Sequence, residues 1–448
     1  MRRSSSFLGW LLAVAAFAIA SGFASAPALA QDAPRDKLVV VTSYPDEMAA
    51  LYKSAFEKTH PGVQVLMLRR RSDEALNMLR QPDQGKVDVY WAAAQRNFMA
   101  LAKDGAFHHL DMPLGGLPVG IGGFPISDPA FYYAAFEVAA YGFAVNPARL
   151  QQKGLPEPKD WTDLTDPAWQ DEIIFPQPSK VGFAPMMVEV LLQSYGWERG
   201  WGILHAIGAN AQLLGERGGN IAADIGTGKA SVGLSIDFFI NAAIAKGAPM
   251  RFVYPGVNGY SPGQVAIMRQ APHAQQAEAF VSFVLSPEGQ KLLFDPAIRR
   301  LPARPSVYAS KPEGYFDPFT ADTPLPFVFN ARHALARQNL DKLLFDALIT
   351  DTQLQLRDTL KTIAKAEKLA QTSNDSSLKE KARQARQLAC AMPFNAVQAS
   401  SIADRFADDP SAKSARNADL IAQWKKQARQ NRDKAERLAE QVIASARR

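Results

Sequence analysis

One cysteine, Cys390, in 448 residues excludes an internal disulfide, so the fold must stand on its hydrophobic core. Histidine is scarce too. The six residues His60, His108, His109, His205, His273 and His333 are scattered along the chain and form no nucleophile–base pair or metal-ligand cluster. An enzyme is therefore not the expectation, and no catalytic residue, metal ligand or cofactor is assigned. Past residue 30 no apolar run is long enough to span a membrane. The nucleotide-binding fingerprints are missing as well. Residues 115–123 are glycine-rich but lack the strand–GxGxxG–helix context. Gly226-Thr227-Gly228-Lys229 has Ala223 and Ala230 where a phosphate-binding loop needs a glycine and a hydroxyl residue. A formal charge of +6 on a chain of this length implies no nucleic-acid partner.

What is there begins with an address. Arg2 and Arg3 precede an apolar run over 7–23 and small residues ending Ala28-Leu29-Ala30, the pattern of a cleaved secretory leader over 1–30. Three serines separate the arginines from Phe7, which favours general secretion over twin-arginine export. No cysteine lies at the cleavage site. That argues against a lipid anchor and for a soluble protein of the periplasm. Removing the leader takes away two arginines and no acid, leaving 418 residues with a charge of +4, enough for two or three domains.

From Lys37 the pattern alternates strands with helices. Residues 38–41 read as a buried strand, 42–45 as a turn and 46–58 as an amphipathic helix with Met48, Leu51, Tyr52 and Phe56 inward. Strands at 63–68 and 87–91 and a helix at 72–79 continue the series, which predicts an α/β fold with a mostly parallel sheet covered on both faces. The apolar run 138–145, followed by Asn146-Pro147, marks a crossing from a first lobe into a second, and 251–255 marks the return. The expected organisation is lobe one over 31–140 and 256–325, lobe two over 141–255, and a helical extension over 326–448.

The stretch 173–201 is the chemical centre of this reading. An apolar strand ends in Pro176 and Pro178, then Ser179-Lys180 precede a helix carrying Met187, Val188, Leu191 and Leu192 on one face. Such a turn presents a hydroxyl, an ammonium and backbone N–H groups to an anion. Taken alone, it is equally an ordinary strand-to-helix loop with a surface lysine.

Several segments carry a family resemblance. LVVVTSYPDEM, DWTDLTDPAWQDEIIFPQPSKVG, ASVGLSIDFF and AEAFVSFVLSPEGQKLL, with Ser286-Pro287-Glu288-Gly289-Gln290 the most specific piece, resemble periplasmic solute-binding proteins of ABC importers. The match runs over about 38–305 and is similar to the branch holding binding proteins for ferric iron, hexose phosphates and aminoethylphosphonate. MMVEVLLQSYGWERGW and the long helical tail resemble phosphoglycerate-transport regulatory proteins. The resemblance implies a two-lobed periplasmic binding protein of type II that closes about a hinge on a small anionic solute. It implies either an ABC permease in the inner membrane or the periplasmic domain of a sensor kinase as partner. Ferric-binding relatives carry adjacent tyrosines after the lobe-two strand; here Phe238-Phe239 stand there, and phenyl rings do not ligate iron. Asp237 stands where sugar-phosphate and phosphonate binders carry an aspartate, although a helix N-cap would also explain it.

On this reading the solute meets Thr42, Ser43, Tyr44 and Ala92 at the carboxyl ends of lobe-one strands. In lobe two it meets Ser179, Lys180, Arg217 and Asn220 as a phosphate clamp, with Asp237 beside them. Tyr260 and Ser261 either close the hinge side or only make a turn before Pro262. Beyond Pro305 the resemblance thins. Residues 315–329 read as a linker packed on lobe one and 331–369 as one long helix, with further helices at 378–391 and 417–446. The last has a basic outer face including Lys425, Lys426, Arg429, Arg432, Lys434 and Arg437. The tail is expected to pack on itself and on lobe one, or to serve as a docking arm for a sensor kinase or an anionic membrane surface.

Overall fold

The computed structural model describes residues 36–215, 221–320, 328–406 and 414–447. The leader, Arg217 and Asn220 lie outside them. The first half of the chain lays down β1 (Asp36–Thr42), α1 (Asp46–Thr59), β2 (Val63–Arg69), α2 (Ser72–Leu79), β3 (Val89–Ala92) and α3 (Gln95–Lys103). A small hairpin follows, β4 (Gly120–Ile121) and β5 (Phe124–Pro125), then the long strand β6 (Ala134–Val145) and α4 (Pro147–Lys153). Next come β7 (Ile173–Pro176), α5 (Ala184–Tyr195), α6 (Trp197–Asn210), β8 (Ala211–Leu214), α7 (Ile221–Gly226), β9 (Val232–Ile236) and α8 (Asp237–Ala245). Then β10 (Arg251–Val253), β11 (Tyr260–Ile267), α9 (Ala274–Leu285), α10 (Pro287–Lys291) and β12 (Leu301–Pro302) complete the sheet-bearing part. The alternation expected from the apolar pattern is present, but the sheet is mixed rather than mostly parallel, because the long β6 pairs antiparallel with β9, β10, β11 and β12.

All twelve residues of β6 are buried, as its near-continuous apolar sequence requires of a strand covered on both faces. It is the spine of one sheet ordered β2-β1-β3-β11-β6-β9-β7-β8. The first half of β6 pairs with β11, Tyr260 opposite Ala140, and the second half with β9, Ile236 opposite Tyr141. β10 pairs with β6 residues 143–145, so the stretch 251–267 runs back along β6 as a second crossing.

Strand directions fix where the sheet's two halves meet. β1 and β3 are parallel, β11 is antiparallel to both β3 and β6, and β9 is antiparallel to β6 while parallel to β7. The carboxyl ends of β1 and β3 therefore point toward those of β7 and β9, across the middle of β6. Tyr260 and Ser261 lie in β11 rather than in a turn.

The extension departs from expectation in three ways. The single helix expected over 331–369 is two, α11 (Ala331–Leu348) and α12 (Gln353–Thr372), split at Ile349, whose φ of −118° and ψ of −63° leave the helix. Thr350-Asp351-Thr352 make the break, since such side chains compete for backbone groups. Ile349 fills the space that Gly208 of α6 leaves bare, where a Cβ would overlap it. Second, Arg432 is fully buried instead of on the basic face. It comes from the long helix α15 (Ala415–Ala446), which packs with α12 and with α13 (Ser376–Ala389); α14 (Ala396–Ala403) rests on α11. Its guanidinium donates to the Leu348 carbonyl and, at 2.6 Å, to Thr352 Oγ1, supplying donors that the helix break demands.

Third, most of the extension docks on the half of the sheet that carries β7 to β9, and only its start reaches lobe one, where Phe329 stacks on Phe124 and its N–H donates to the Gly123 carbonyl at 2.9 Å. The extension's apolar residues form one continuous core with the β7-to-β9 half. Phe345 packs on Phe175 with ring centroids 5.0 Å apart, and Trp197 donates from Nε1 to the Phe394 carbonyl at 3.0 Å. Gln353 donates to the Gly208 and Ala211 carbonyls, and Arg357 to Ala209, so the extension caps the C-terminal end of α6. The linker expected on lobe one bridges both sides: Tyr315 donates to the Arg300 carbonyl and Phe316 stacks on Tyr254. Among the described residues no helix is long and apolar enough to cross a membrane.

Candidate functional site

At the end of β1 the Thr42 hydroxyl accepts the Tyr44 N–H at 3.1 Å, which turns the chain sharply into α1 and sends the Tyr44 ring inward. Tyr44 is buried against Trp91 and Phe136, and its hydroxyl donates to Glu137 Oε1 at 2.6 Å. Glu137 stands in the middle of β6. Arg300, just before β12, donates from Nη1 to both of its oxygens at 2.7 and 2.9 Å. The same guanidinium lies over the Phe238 ring at 3.8 Å and the Tyr44 ring at 5.1 Å, so aromatic faces as well as the carboxylate hold it. β11 passes close by at Gly263, where any Cβ would overlap the Tyr44 hydroxyl and the Glu137 carboxylate.

Asp237 opens α8 immediately after β9 and is buried. It follows the N-cap residue Ile236 as the first residue of the helix, where a carboxylate is favoured by the helix N-terminus whatever else it does. Tyr254 donates to Oδ2 at 3.4 Å, while Oδ1 has no hydrogen-bond partner. Burial pushes this carboxyl up to about 7; the Ala140 and Phe238 N–H groups and Arg300 pull the other way, and the Glu137 charge adds to the rise. A buried carboxylate oxygen without a donor is costly, and one placed where two halves of a sheet converge is open to a donor from outside the chain.

The structure thus brings Tyr44 and Asp237 to the crossing, with Ser261 opposite Ala139 of β6 and Tyr260 buried beside it on Phe124. Ser43 is half-buried at the β1–α1 turn, and Ala92 is buried at the end of β3. Ser179 and Lys180 are exposed on the turn after β7, where Ser179 donates to Asp346 of α11 at 3.1 Å. That turn adjoins the cluster through Phe183, which contacts Phe239, itself packed on Phe238. Arg217 and Asn220 belong to the undescribed stretch. Sequence reasoning missed Glu137 and Arg300. The available signal was one glutamate alone inside an otherwise apolar twelve-residue strand.

Residues 97–314 match the model of the bacterial extracellular solute-binding proteins. The phosphoglycerate transport regulatory protein PgtC of Salmonella typhimurium is 32% identical over 233 residues, which cover 52% of this chain and 57% of that protein. The chain therefore spans little more than half the length of this curated relative. Among solved structures, the periplasmic binding protein AfuA of Actinobacillus pleuropneumoniae, with fructose-6-phosphate bound, superposes with a TM-score of 0.57 at 22% identity. The match covers 69% of this chain and 98% of that one. Iron-bound HitA of Pseudomonas aeruginosa gives 0.56 at 19% identity, covering 68% of this chain and 99% of the other. The fold is that of the two-lobed periplasmic binding proteins, with a helical region added at the C-terminus.

Proposed function

We propose, from the premise that this chain belongs to the bacterial extracellular solute-binding proteins, that it is a periplasmic receptor for a small phosphorylated anion and delivers it to an ABC importer. The observation that carries the reading is the convergence of strand ends from both lobes on Glu137, Arg300 and Asp237, with one Asp237 oxygen lacking a donor. Carboxylates ask for hydroxyl or ammonium donors, while the hydroxyl and ammonium of Ser179 and Lys180 ask for an anion, with Arg217 and Asn220 nearby in sequence. A phosphoglycerate, a sugar phosphate or an aminophosphonate carries both kinds of group on one small skeleton. A solute touching both lobes stabilises the closed form by its differential contacts, and closure is what a permease reads.

The neighbours include iron binders, but Phe238 lies over Arg300 and neither Phe238 nor Phe239 offers a ligating oxygen. The reading is tested by thermal shift of the purified protein with 3-phosphoglycerate, fructose-6-phosphate, aminoethylphosphonate and Fe(III). At a hundredfold excess over Kd a true ligand stabilises by about 2.7 kcal/mol. Stabilisation by one of the three phosphorus compounds is expected; stabilisation by Fe(III) alone overturns the assignment.

A second reading is favoured by the regulatory name of the Salmonella relative: the receptor reports its ligand to a sensor kinase rather than a permease. Deleting the gene separates the two. Loss of solute uptake with the permease genes expressed constitutively supports transport, whereas loss of permease-gene induction alone supports sensing.

A further inference from the structure

The turn between β7 and α5 already holds an anion. Ser179 Oγ donates to Asp346 Oδ1 at 3.1 Å and Thr350 Oγ1 to the same oxygen at 3.4 Å; burial, with the Asp351 charge, raises this carboxyl, and the two hydroxyls and the field of Lys180 offset part of the rise. Asp346 arrives from the extension, 167 residues further along the chain. Its position is not that of a loose surface contact. The adjoining Phe345 is buried against Phe175 of β7. Two turns earlier in α11, Arg337 grips Glu189 of α5 through two hydrogen bonds of 2.8 Å. The carboxylate is therefore delivered to the Ser179–Lys180 turn by a rigid helix.

We propose that Asp346 is an affinity-setting residue of the solute site, an internal carboxylate on the Ser179–Lys180 turn that an incoming anion must displace. This deepens the receptor reading above and rests on it. A monoanionic carboxylate brings to that turn no more than Asp346 already supplies. A phosphate or phosphonate near neutral pH brings close to two charges and three acceptor oxygens, so it gains on Lys180 and Ser179 what a carboxylate cannot. The built-in competitor lowers the apparent affinity of every anion that displaces it by one common factor, so it sets how tightly the site holds its solute, while the extra charge and acceptors of the phosphate set the preference over a carboxylate. It also couples the extension to occupancy, because displacement breaks the contact between Asp346 and Ser179.

The test is calorimetric titration of the full chain, wild type against Asp346→Asn, Asp346→Ala and Ser179→Ala, with 3-phosphoglycerate and with glycerate. Removing the competitor raises the fraction of molecules ready to bind, so both Asp346 variants are expected to bind 3-phosphoglycerate roughly three- to tenfold more tightly. Glycerate should tighten by the same factor, leaving the discrimination between the two unchanged, while Ser179→Ala weakens 3-phosphoglycerate. The asparagine variant keeps the size and hydrogen bonding of Asp346, so loss of fold in the alanine variant does not blunt the test. Asp346 variants that bind both compounds as wild type does, within about twofold, or more weakly, overturn the proposal and leave the receptor reading intact. If no form of the protein binds 3-phosphoglycerate, fructose-6-phosphate or aminoethylphosphonate, the receptor reading falls and this proposal with it.

Discussion

At the lobe crossing Arg300 clamps Glu137 while a second carboxyl, Asp237, stands close by; between α5 and α11 Arg337 clamps Glu189 while Asp341 stands one turn along. All six side chains are buried. In each cluster one guanidinium faces two carboxyls, so one negative charge is left over, and in each the second carboxyl has an oxygen without a donor: Asp237 Oδ1 in the first, both Asp341 oxygens in the second. The surroundings differ. The first cluster lies where strand ends of two lobes converge, and a solute can bring the missing donor. The second is closed between helices, and only a proton can. Burial, and then the Glu189 charge, raise the Asp341 carboxyl well above the usual range. Burial also pushes Glu189 up, but the Arg337 hydrogen bonds and charge hold Glu189 low. The pair keeps one proton between them. On the proposed function, the same parts make a recognition site in one place and a latch in the other.

The largest effect should come from breaking the latch. Arg337→Ala leaves Glu189 with neither its hydrogen bonds nor a countercharge, and removing one partner of a buried pair costs about 3–5 kcal/mol. A fall of that size in unfolding free energy, by denaturant titration, is expected. Replacing all three groups at once, Arg337→Met with Glu189→Leu and Asp341→Leu, should recover most of it, since apolar residues of similar volume are often neutral there. If Arg337→Ala melts like wild type, the extension is not latched through this cluster.

The next effect sharpens the contrast, because the recognition cluster has no built-in solution for its surplus. Asp237 has its carboxyl raised to about 7 in the fold, against about 3.9 in an unfolded chain. Its folded pKa is the higher, so its contribution to stability is complete below about pH 4 and is lost as pH rises through about 7. The ligand-free protein should lose on the order of 2 kcal/mol from this group between about pH 5 and pH 8. Asp237→Asn should flatten that part of the profile while weakening solute binding. Parallel profiles for the two proteins would mean that Asp237 is charged at neutral pH and satisfied by groups of the chain itself.

How much of this was legible in the sequence depended on whether the signal was local. Alternating apolar segments pointed to β1, α1 and α2 because each such element displays its period within a few residues. Tyr44, Asp237 and the Ser179–Lys180 turn could be nominated because strand ends are visible and a resemblance supplied their context. Glu137 and Arg300 could not: they meet across 163 residues, and nothing in the neighbourhood of either announces the other. The extension failed for the same reason. Its helices were apparent from their faces, but the partner surface depends on long-range fits such as Ile349 on the bare Gly208 and Phe345 on Phe175, which no local pattern shows. Arg432 looked like one more cation of a solvated stripe because the helix break that requires it lies 80 residues upstream.

The smallest expected effect tests whether burial, rather than charge pairing as such, separates these clusters from the rest of the molecule. Lys425 of α15 forms an ion pair with Asp351 in the break between α11 and α12, with side chains 33% and 43% exposed. In that setting water and salt screen the attraction, and holding two mobile side chains in one geometry offsets most of what remains. Lys425→Ala should therefore change unfolding free energy by less than about 1 kcal/mol, and raising the salt concentration should shrink even that difference. The Arg337→Ala penalty should persist in the same salt series, because counterions do not reach a buried pair. A Lys425 variant as damaging as the Arg337 variant would show that Asp351 anchors the helix break electrostatically and that the latch is shared between the two places.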